Sequence, residues 1–395
     1  MSATPNGRGL PPDAGVVVIG GGIMGTSIAF HLAEAGVSDV LLLEQSDLGS
    51  GSTCKAAGGV RAQFSDPVNI ALGLRGLDAF EDFPNRPGQE IDLHQPGYLF
   101  LLTDLDQVAV YEQSVAVQNA MGVPSRIISA EEAKVLAPAI DTSGVLAAAY
   151  HQRDGYCSPE SVVLGYASGA RRHGATVRTG VTVTGIDVVD GTITAVRTDQ
   201  GAVRTSTVVC AAGAWSQTVG AMAGVDLPVI PLRRQILITE PLDDATRALM
   251  PESMPVTIDA ASTFYFHREG PGVLLGMSYQ AEQPGFREDY SEEWLPDLVA
   301  AMEARCPTLL DVGVAHRWTG MYEVTPDHNA LVGESTTVSR FLYATGFSGH
   351  GFLQGPAIGE VMRDVYLGVE PVIDVAPFTA ERFAEGGLRG EVNIV

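Results

Sequence analysis

Short apolar runs of strand length alternate with stretches of helical period along this chain. Val16-Val17-Val18-Ile19 and Val40-Leu41-Leu42-Leu43 are unbroken apolar runs, as buried strands require, with a helical stretch up to Gly36 between them. Residues 67–83 place Val68, Leu72, Leu77 and Phe80 at helical spacing behind Pro67. A strand is centred on Tyr98–Leu102 within 91–103. Helices follow over 104–121 and 130–137, the second ending before Pro138, and 139–157 is loop and strand with a turn at Arg153-Asp154-Gly155. Ser158 caps a helix over 159–173, with Pro159 in its first position and Glu160 at the positive end of its dipole. Strand runs come next at 175–179, 181–188, 192–198 and 202–209, with Asp190-Gly191 as a hairpin turn. Further strands are expected at 229–239, 263–268 and 272–278, and helices at 244–250 and 291–305. A last buried run, 341–345, enters a glycine-rich turn and a helix over 353–367.

The turn after the first run carries chemistry. Gly20, Gly22 and Gly25 make the G-x-G-x-x-G spacing, with Ile23 and Met24 inside it. The first glycine permits a tight turn, the second lets a pyrophosphate approach the backbone, and the third lets helix and strand pack closely. The helix N-terminus offers N–H groups and partial positive charge to a diphosphate. Glu44, followed by Gln45, closes the second run at about the spacing, roughly 20 residues, of the acid that binds the ribose hydroxyls. An acid there argues against a 2′-phosphate, which leaves FAD or NAD.

Three other stretches are rich in small residues. Gly51, Ser52, Thr53, Lys55, Ala56, Ala57, Gly58 and Gly59 lead to Arg61 and read as a packed short helix close to a ligand. The run 202–209 opens into Ala212, Gly213 and Trp215. Gly346, Gly349, His350, Gly351, Phe352 and Leu353 form a second strand–glycine–helix junction. A second positive helix end suits a flavin, whose reduced form carries negative charge on its pyrimidine, and has no use in a nicotinamide site.

Composition narrows the rest. A net charge of −23 repels nucleic acid and anionic membrane. Lysine occurs only at Lys55 and Lys134. Cys54, Cys157, Cys210 and Cys306 are scattered without C-x-x-C spacing, which argues against a metal or a disulfide and for the cytoplasm. No apolar run reaches membrane-spanning length, and residues 1–14 read as a flexible tail.

Taken in order, the first fingerprint, Gly51-Ser52-Thr53-x-x-Ala56-Ala57-Gly58, Ala211-Ala212-Gly213-Ala214-Trp215, Tyr322-x-x-Thr325-Pro326-Asp327 and Gly346-Phe347-Ser348-Gly349-His350-Gly351 resemble the FAD-dependent D-amino acid oxidase superfamily, nearest its sarcosine oxidase β-subunit, proline dehydrogenase and glycine oxidase branch. The resemblance runs over about residues 15–370. It implies an α/β (α+β overall) architecture: a Rossmann-like FAD-binding domain from 15–90, 150–227 and 319–375, with an inserted antiparallel-sheet substrate domain from 91–149 and 228–318. It adds Val183 and Gly320 to the FAD-binding set and implies oxidation of a carbon–nitrogen bond in an amino acid or N-methyl amine.

Carried over residue by residue, Arg61 matches the arginine that holds a substrate carboxylate, a role suited to a permanently charged bidentate group. The second carboxylate ligand, a lysine in the family, is Leu353 here; the substrate is then bulkier, or an ester or amide, or Arg61 acts alone. Lys55 and Gly320 stand where relatives tether flavin through histidine and cysteine, so FAD is expected to be non-covalent. Leu274 stands where an oxidase has its oxygen-activating lysine, with Arg268 a nearby substitute. The expected activity is therefore a dehydrogenase taking hydride from substrate to flavin N5 and releasing an imine, with an unidentified electron acceptor. An oxidase producing hydrogen peroxide and a flavin-carrying subunit of a larger complex or oligomer are the alternatives. Arg61, Tyr265 and His350 are the candidate catalytic residues, Tyr265 as pocket wall beside Phe264 or Phe266 and His350 as a backbone-shaping residue rather than a base. His267, His316 and His328 read as structural, and Arg233-Arg234 as a pair that steers anions or sits on a solvated or ion-paired face.

Overall fold

The computed structural model describes residues 9–384 and 386–393; most of the tail expected over 1–14 lies outside the described residues. Within it, Ala14 donates to the Arg204 carbonyl at 2.9 Å and Asp13 pairs with the Arg204 guanidinium.

A six-stranded sheet runs in the order 331–334, 341–345, 208–210, 16–19, 40–43, 176–178. All of its pairings are parallel except the outermost, where Leu331–Glu334 lies antiparallel to Phe341–Thr345. Val16, Val17 and Val18 at its centre are fully buried, which is why this strand is apolar at every position rather than at alternate ones. Helix Ile23–Glu34 leaves the end of that strand and is covered by helix Gly351–Leu367. The two approach closely because Gly355 and Gly359 face Ile23, Ser27 and His31. A Cβ on Gly355 would lie 2.3 Å from Ile23 Cγ1, and one on Gly359 would lie 2.1 Å from Ser27 Oγ.

An eight-stranded sheet forms the second layer, in the order 314–324, 230–239, 272–277, 265–269, 256–259, 98–102, 147–151, 126–128. It is antiparallel apart from Val256–Asp259 beside Tyr98–Leu102. The α/β architecture expected from the sequence is thus the one found. No described helix is long and apolar enough to cross a membrane.

Several expected elements change. The run 202–209 is two strands in different sheets: Gly201–Arg204 completes a three-stranded antiparallel sheet, and Val208–Cys210 joins the parallel one. Between them Thr205 hydrogen-bonds Thr207 and turns the chain. The short helix expected in 49–61 is only one 3₁₀ turn, Thr53–Lys55. Gly49 and Gly58 sit at φ +74° on either side of it, and Ala56 is extended. The late helix starts at Gly351 rather than 353, and the one before Pro307 at Leu295 rather than 291.

His31 lies inside the helix pair, 3% exposed, with Nδ1 2.8 Å from the Ser27 carbonyl and Nε2 3.9 Å from Glu360. Burial pulls its pKa down to about 4, with Arg86 adding to the effect and Glu34 and Glu360 opposing it. Above pH 6.5 both folded and unfolded states hold a neutral ring. Below it the unfolded chain takes a proton that the folded one refuses, so stability falls as pH drops toward 4. At about 1.4 kcal/mol per pKa unit, the loss is about 3 kcal/mol. Denaturant titrations between pH 7.5 and 4.5 should show this loss, and His31→Gln should flatten the slope by up to about one proton.

Candidate active site

Two clefts meet end to end between the sheets. The first is lined by Gly20, Gly22, Ile23, Met24, Glu44, Gln45, Gly51, Ser52, Thr53, Val183, Ala212, Gly213 and Trp215. The second is lined by Lys55, Ala56, Ala57, Gly58, Gly59, Arg61, Tyr265, Gly320, Gly349, His350, Gly351, Phe352 and Leu353. Ile23, Ser52, Thr53 and Glu323 line both, so the clefts form one elongated groove. Of the cofactor-binding residues singled out in the sequence, Gly25 and Gly346 reach neither, and Phe264 and Phe266, the alternatives beside Tyr265 for the pocket wall, are buried in the core instead. A Cβ on Gly25 would lie 1.9 Å from the Gly20 carbonyl oxygen, and Gly346 holds φ +72° against Thr325, so both shape backbone.

In the first cleft Glu44 is oriented from both sides. One carboxylate oxygen accepts from Gly21 N at 2.7 Å, the other from Ser46 N at 2.8 Å. Ile23 N, at the helix start, donates to Thr53 Oγ1 at 3.1 Å, which fastens the small-residue turn over the glycine loop. A Cβ on Gly22 would meet only that hydroxyl, at 3.0 Å, so its front is open to the cleft.

At the far end His350 begins helix Gly351–Leu367, with Gly349 at φ +100°. Its ring stands edge-on to Phe64 at 5.2 Å, and its Nε2 is buried without a partner. Burial holds its pKa well below the usual imidazole range, with the Arg61 charge adding to the effect.

A profile of the FAD dependent oxidoreductase family matches residues 15–365. The chain belongs to this family. Mouse mitochondrial dimethylglycine dehydrogenase is 33% identical over 95% of this chain, and 4-methylaminobutanoate oxidase of Paenarthrobacter nicotinovorans 30% over 95%. The chain spans under half the length of these curated relatives, 45% and 46%. The crystal structure of L-proline dehydrogenase from P. horikoshii superposes with TM-score 0.89 at 32% identity, covering 96% of this chain and all of that one.

FAD is the cofactor of the family, and the groove fits it. The open front of Gly22 beneath a helix N-terminus suits a diphosphate, and the bidentate Glu44 suits a ribose. The unpartnered His350 Nε2 and the Gly351 helix end suit a polar ring edge at the other end. Glu323, unremarked in the sequence, lies where the clefts join. Its carboxylate accepts from Gly346 N at 3.0 Å and Thr345 Oγ1 at 2.9 Å, and burial raises its pKa. An acid inside the otherwise apolar run Met321-Tyr322-Glu323-Val324 was the available signal.

The second cleft departs from the sequence reading at its charges. Arg61 is 4% exposed and already engaged: it donates to the Gln63 carbonyl and, at 2.7 Å, to the Asn393 carbonyl, and lies 4.1 Å from the Phe64 ring centroid. Arg234, Tyr98 and Tyr322 line the cleft and went unnoticed as wall residues. Tyr265 lines it as expected. Leu274 lines a neighbouring cleft beyond Ala56 and Ala57, together with Arg268, whose donors go to the Met250 and Gly270 carbonyls at 2.9 Å. His267 also lines the second cleft; its Nε2 is 3.1 Å from the Ala57 carbonyl and its ring stacks on Tyr156 at 4.2 Å, so it ties sheet to loop. His316 is exposed, and His328 sits in a turn at φ +60°.

Proposed function

We propose that this chain oxidises the carbon–nitrogen bond of an amino acid or N-alkyl amine that carries a carboxylate, as a dehydrogenase with non-covalently bound FAD. The observation that carries this reading is the charge of the second cleft. In a chain of net charge −23, Lys55, Arg61 and Arg234 converge on a wall of tyrosines, with Glu323 at its inner end. Such a cleft draws in a small anion.

FAD, when bound, supplies the two-electron hydride acceptor. The protein's share is binding and orientation. Tyr98, Tyr265 and Tyr322, with Ile236 and Val256, make an aromatic and aliphatic wall that disfavours ammonium and admits the substrate nitrogen neutral, as loss of hydride from its neighbouring carbon requires. The residues around it then need no proton-accepting side chain, and His350, neutral in its buried setting, holds its place beside the glycine turn. The imine product hydrolyses in water.

Residues 15–90, 150–227 and 319–375 are taken as the FAD-binding domain and 91–149 with 228–318 as the substrate domain. A cytoplasmic location accords with the four cysteines, all unpaired. Leucine at 274 puts no lysine on that strand, and Arg268 has both terminal nitrogens held by the Met250 and Gly270 carbonyls, which favours an acceptor other than oxygen. After anaerobic reduction by substrate, a redox dye should restore the flavin colour much faster than air-saturated buffer does. Peroxide formed as fast as substrate is consumed would instead make the protein an oxidase.

A further inference from the structure

Resting on the reading of the second cleft as the site of amino-acid oxidation, we infer that Arg234, and not Arg61, anchors the substrate carboxylate, with the hydroxyls of Tyr265 and Tyr322 as its neighbours. Arg233 and Arg234 are consecutive on strand Ile230–Thr239, so their side chains leave opposite faces of the sheet. Arg233 faces away from the cleft and is paired: it meets the Glu282 carboxylate at 3.0 and 3.2 Å and the Asp289 carbonyl at 2.7 Å. Arg234 faces into the cleft. There its guanidinium lies 4.9 Å from the Tyr322 ring centroid, and Nη1 donates to the Arg233 carbonyl at 3.1 Å. Its Nε is buried without an acceptor, and none of the ion pairs among the described residues includes it.

A partly buried guanidinium with no counter-ion is costly, and an anionic ligand lowers that cost. Arginine's planar fork matches a carboxylate in two bonds. The cross-strand partner of Arg234 is Gly320, which puts no side chain beside it. Tyr265 and Tyr322, on the same cleft wall, have no hydroxyl partner among the described residues and can donate to the same anion. Arg61 is less free: two of its five N–H donors are committed to the Gln63 and Asn393 carbonyls, and its plane lies over Phe64. With Leu353 apolar, the anchor therefore sits on the sheet wall rather than at the glycine-turn end. The substrate class this selects is a small N-alkyl amino acid whose carboxylate lies against that sheet.

The test uses holoenzyme and methoxyacetate, an oxygen isostere of an N-methyl amino acid with no amine to oxidise. Its binding is followed by calorimetry and by the shift it causes in the flavin spectrum. Arg234→Gln should weaken binding at least about 100-fold, and Arg234→Lys should recover part of it. Arg61→Gln should weaken binding much less than Arg234→Gln does. FAD content and unfolding temperature, measured alongside, confirm that each variant is folded. With N-methylglycine as substrate, Arg234→Gln should raise KM far more than it lowers kcat, and its preference for the acid over the methyl ester should vanish. Parent protein that fails to bind methoxyacetate, an Arg234→Gln variant that binds it normally, or loss confined to Arg61→Gln would each overturn the assignment. If methoxyacetate binding depends on Arg234 but no amine bleaches the parent flavin, the oxidation reading falls and the carboxylate site stands.

Discussion

Gly22→Val should cost the protein its FAD while leaving the fold in place. The four glycines of the loop differ in what surrounds them. Gly20 holds φ +111°, and a Cβ there would lie 2.2 Å from the Ala211 carbonyl oxygen. A Cβ on Gly21 would strike Glu44 and Leu48 at 2.8 Å, and one on Gly25 the Gly20 carbonyl at 1.9 Å. Changes at these three break the strand–helix junction itself. Gly22 has ordinary backbone angles, φ −77° and ψ −169°, and a Cβ would meet only the Thr53 hydroxyl at 3.0 Å. The space a valine would fill is the space a pyrophosphate needs. Gly22 caps helix Ile23–Glu34, so valine also costs about 1 kcal/mol of helix stability. Fluorescence titration of apoprotein with FAD should show affinity at least about 100-fold weaker, or about 2.7 kcal/mol. Thermal unfolding of the apoprotein should move by only a few degrees. Normal FAD affinity in this variant would remove the first cleft from the cofactor site.

The largest loss of stability is expected from Asp154→Ala. This carboxylate is fully buried and gathers three donors: His151 Nδ1 at 2.7 Å, Ala62 N at 3.0 Å and Gln63 Nε2 at 3.1 Å. It pins the segment after the two-residue strand Gly59–Val60, which carries Arg61, to strand Gly155–Tyr156. Alanine leaves His151 Nδ1 and Ala62 N without an acceptor in a buried setting and Gln63 Nε2 with only the Tyr98 carbonyl. The cost should be about 3–5 kcal/mol, read from the midpoint of urea unfolding. Asp154→Asn, which keeps a carbonyl oxygen but turns an amide toward a donor, should fall between. A loss below about 1 kcal/mol would mean that water or a rearranged Gln63 replaces the carboxylate.

Both predictions lie on features the sequence exposes to different degrees. The runs Val16–Ile19 and Val40–Leu43 are legible because a parallel strand covered on both faces is apolar at every position. The glycine spacing is legible because a phosphate site built from main chain leaves its mark in the absence of side chains. Strand Val314–Val324 is not, since its first half is exposed and mixes Ala315, His316 and Arg317 with apolar residues. Strand Val256–Asp259 is only four residues long and lies among prolines and loops. In the site, Glu44, the small-residue turn and the Gly349–Gly351 junction were found from local sequence. Arg234 was seen only as half of a charged pair, because its separation from Arg233 depends on which face of the sheet each side chain takes. The approach of Arg234 to Tyr322 depends on the pairing of strands 230–239 and 314–324, which no local pattern records. Arg61 lines the cleft, but its bond to the Asn393 carbonyl, distant in sequence, is beyond the reach of any local motif.

The most direct test of amine oxidation is anaerobic mixing of the FAD-loaded protein with a panel of N-methyl, secondary and primary amino acids while the visible flavin spectrum is followed. Loss of the oxidised flavin band with at least one carboxylate-bearing amine, and little with the matching uncharged amine, is the result expected. A flavin that is bound yet stays oxidised against every member of the panel would contradict it.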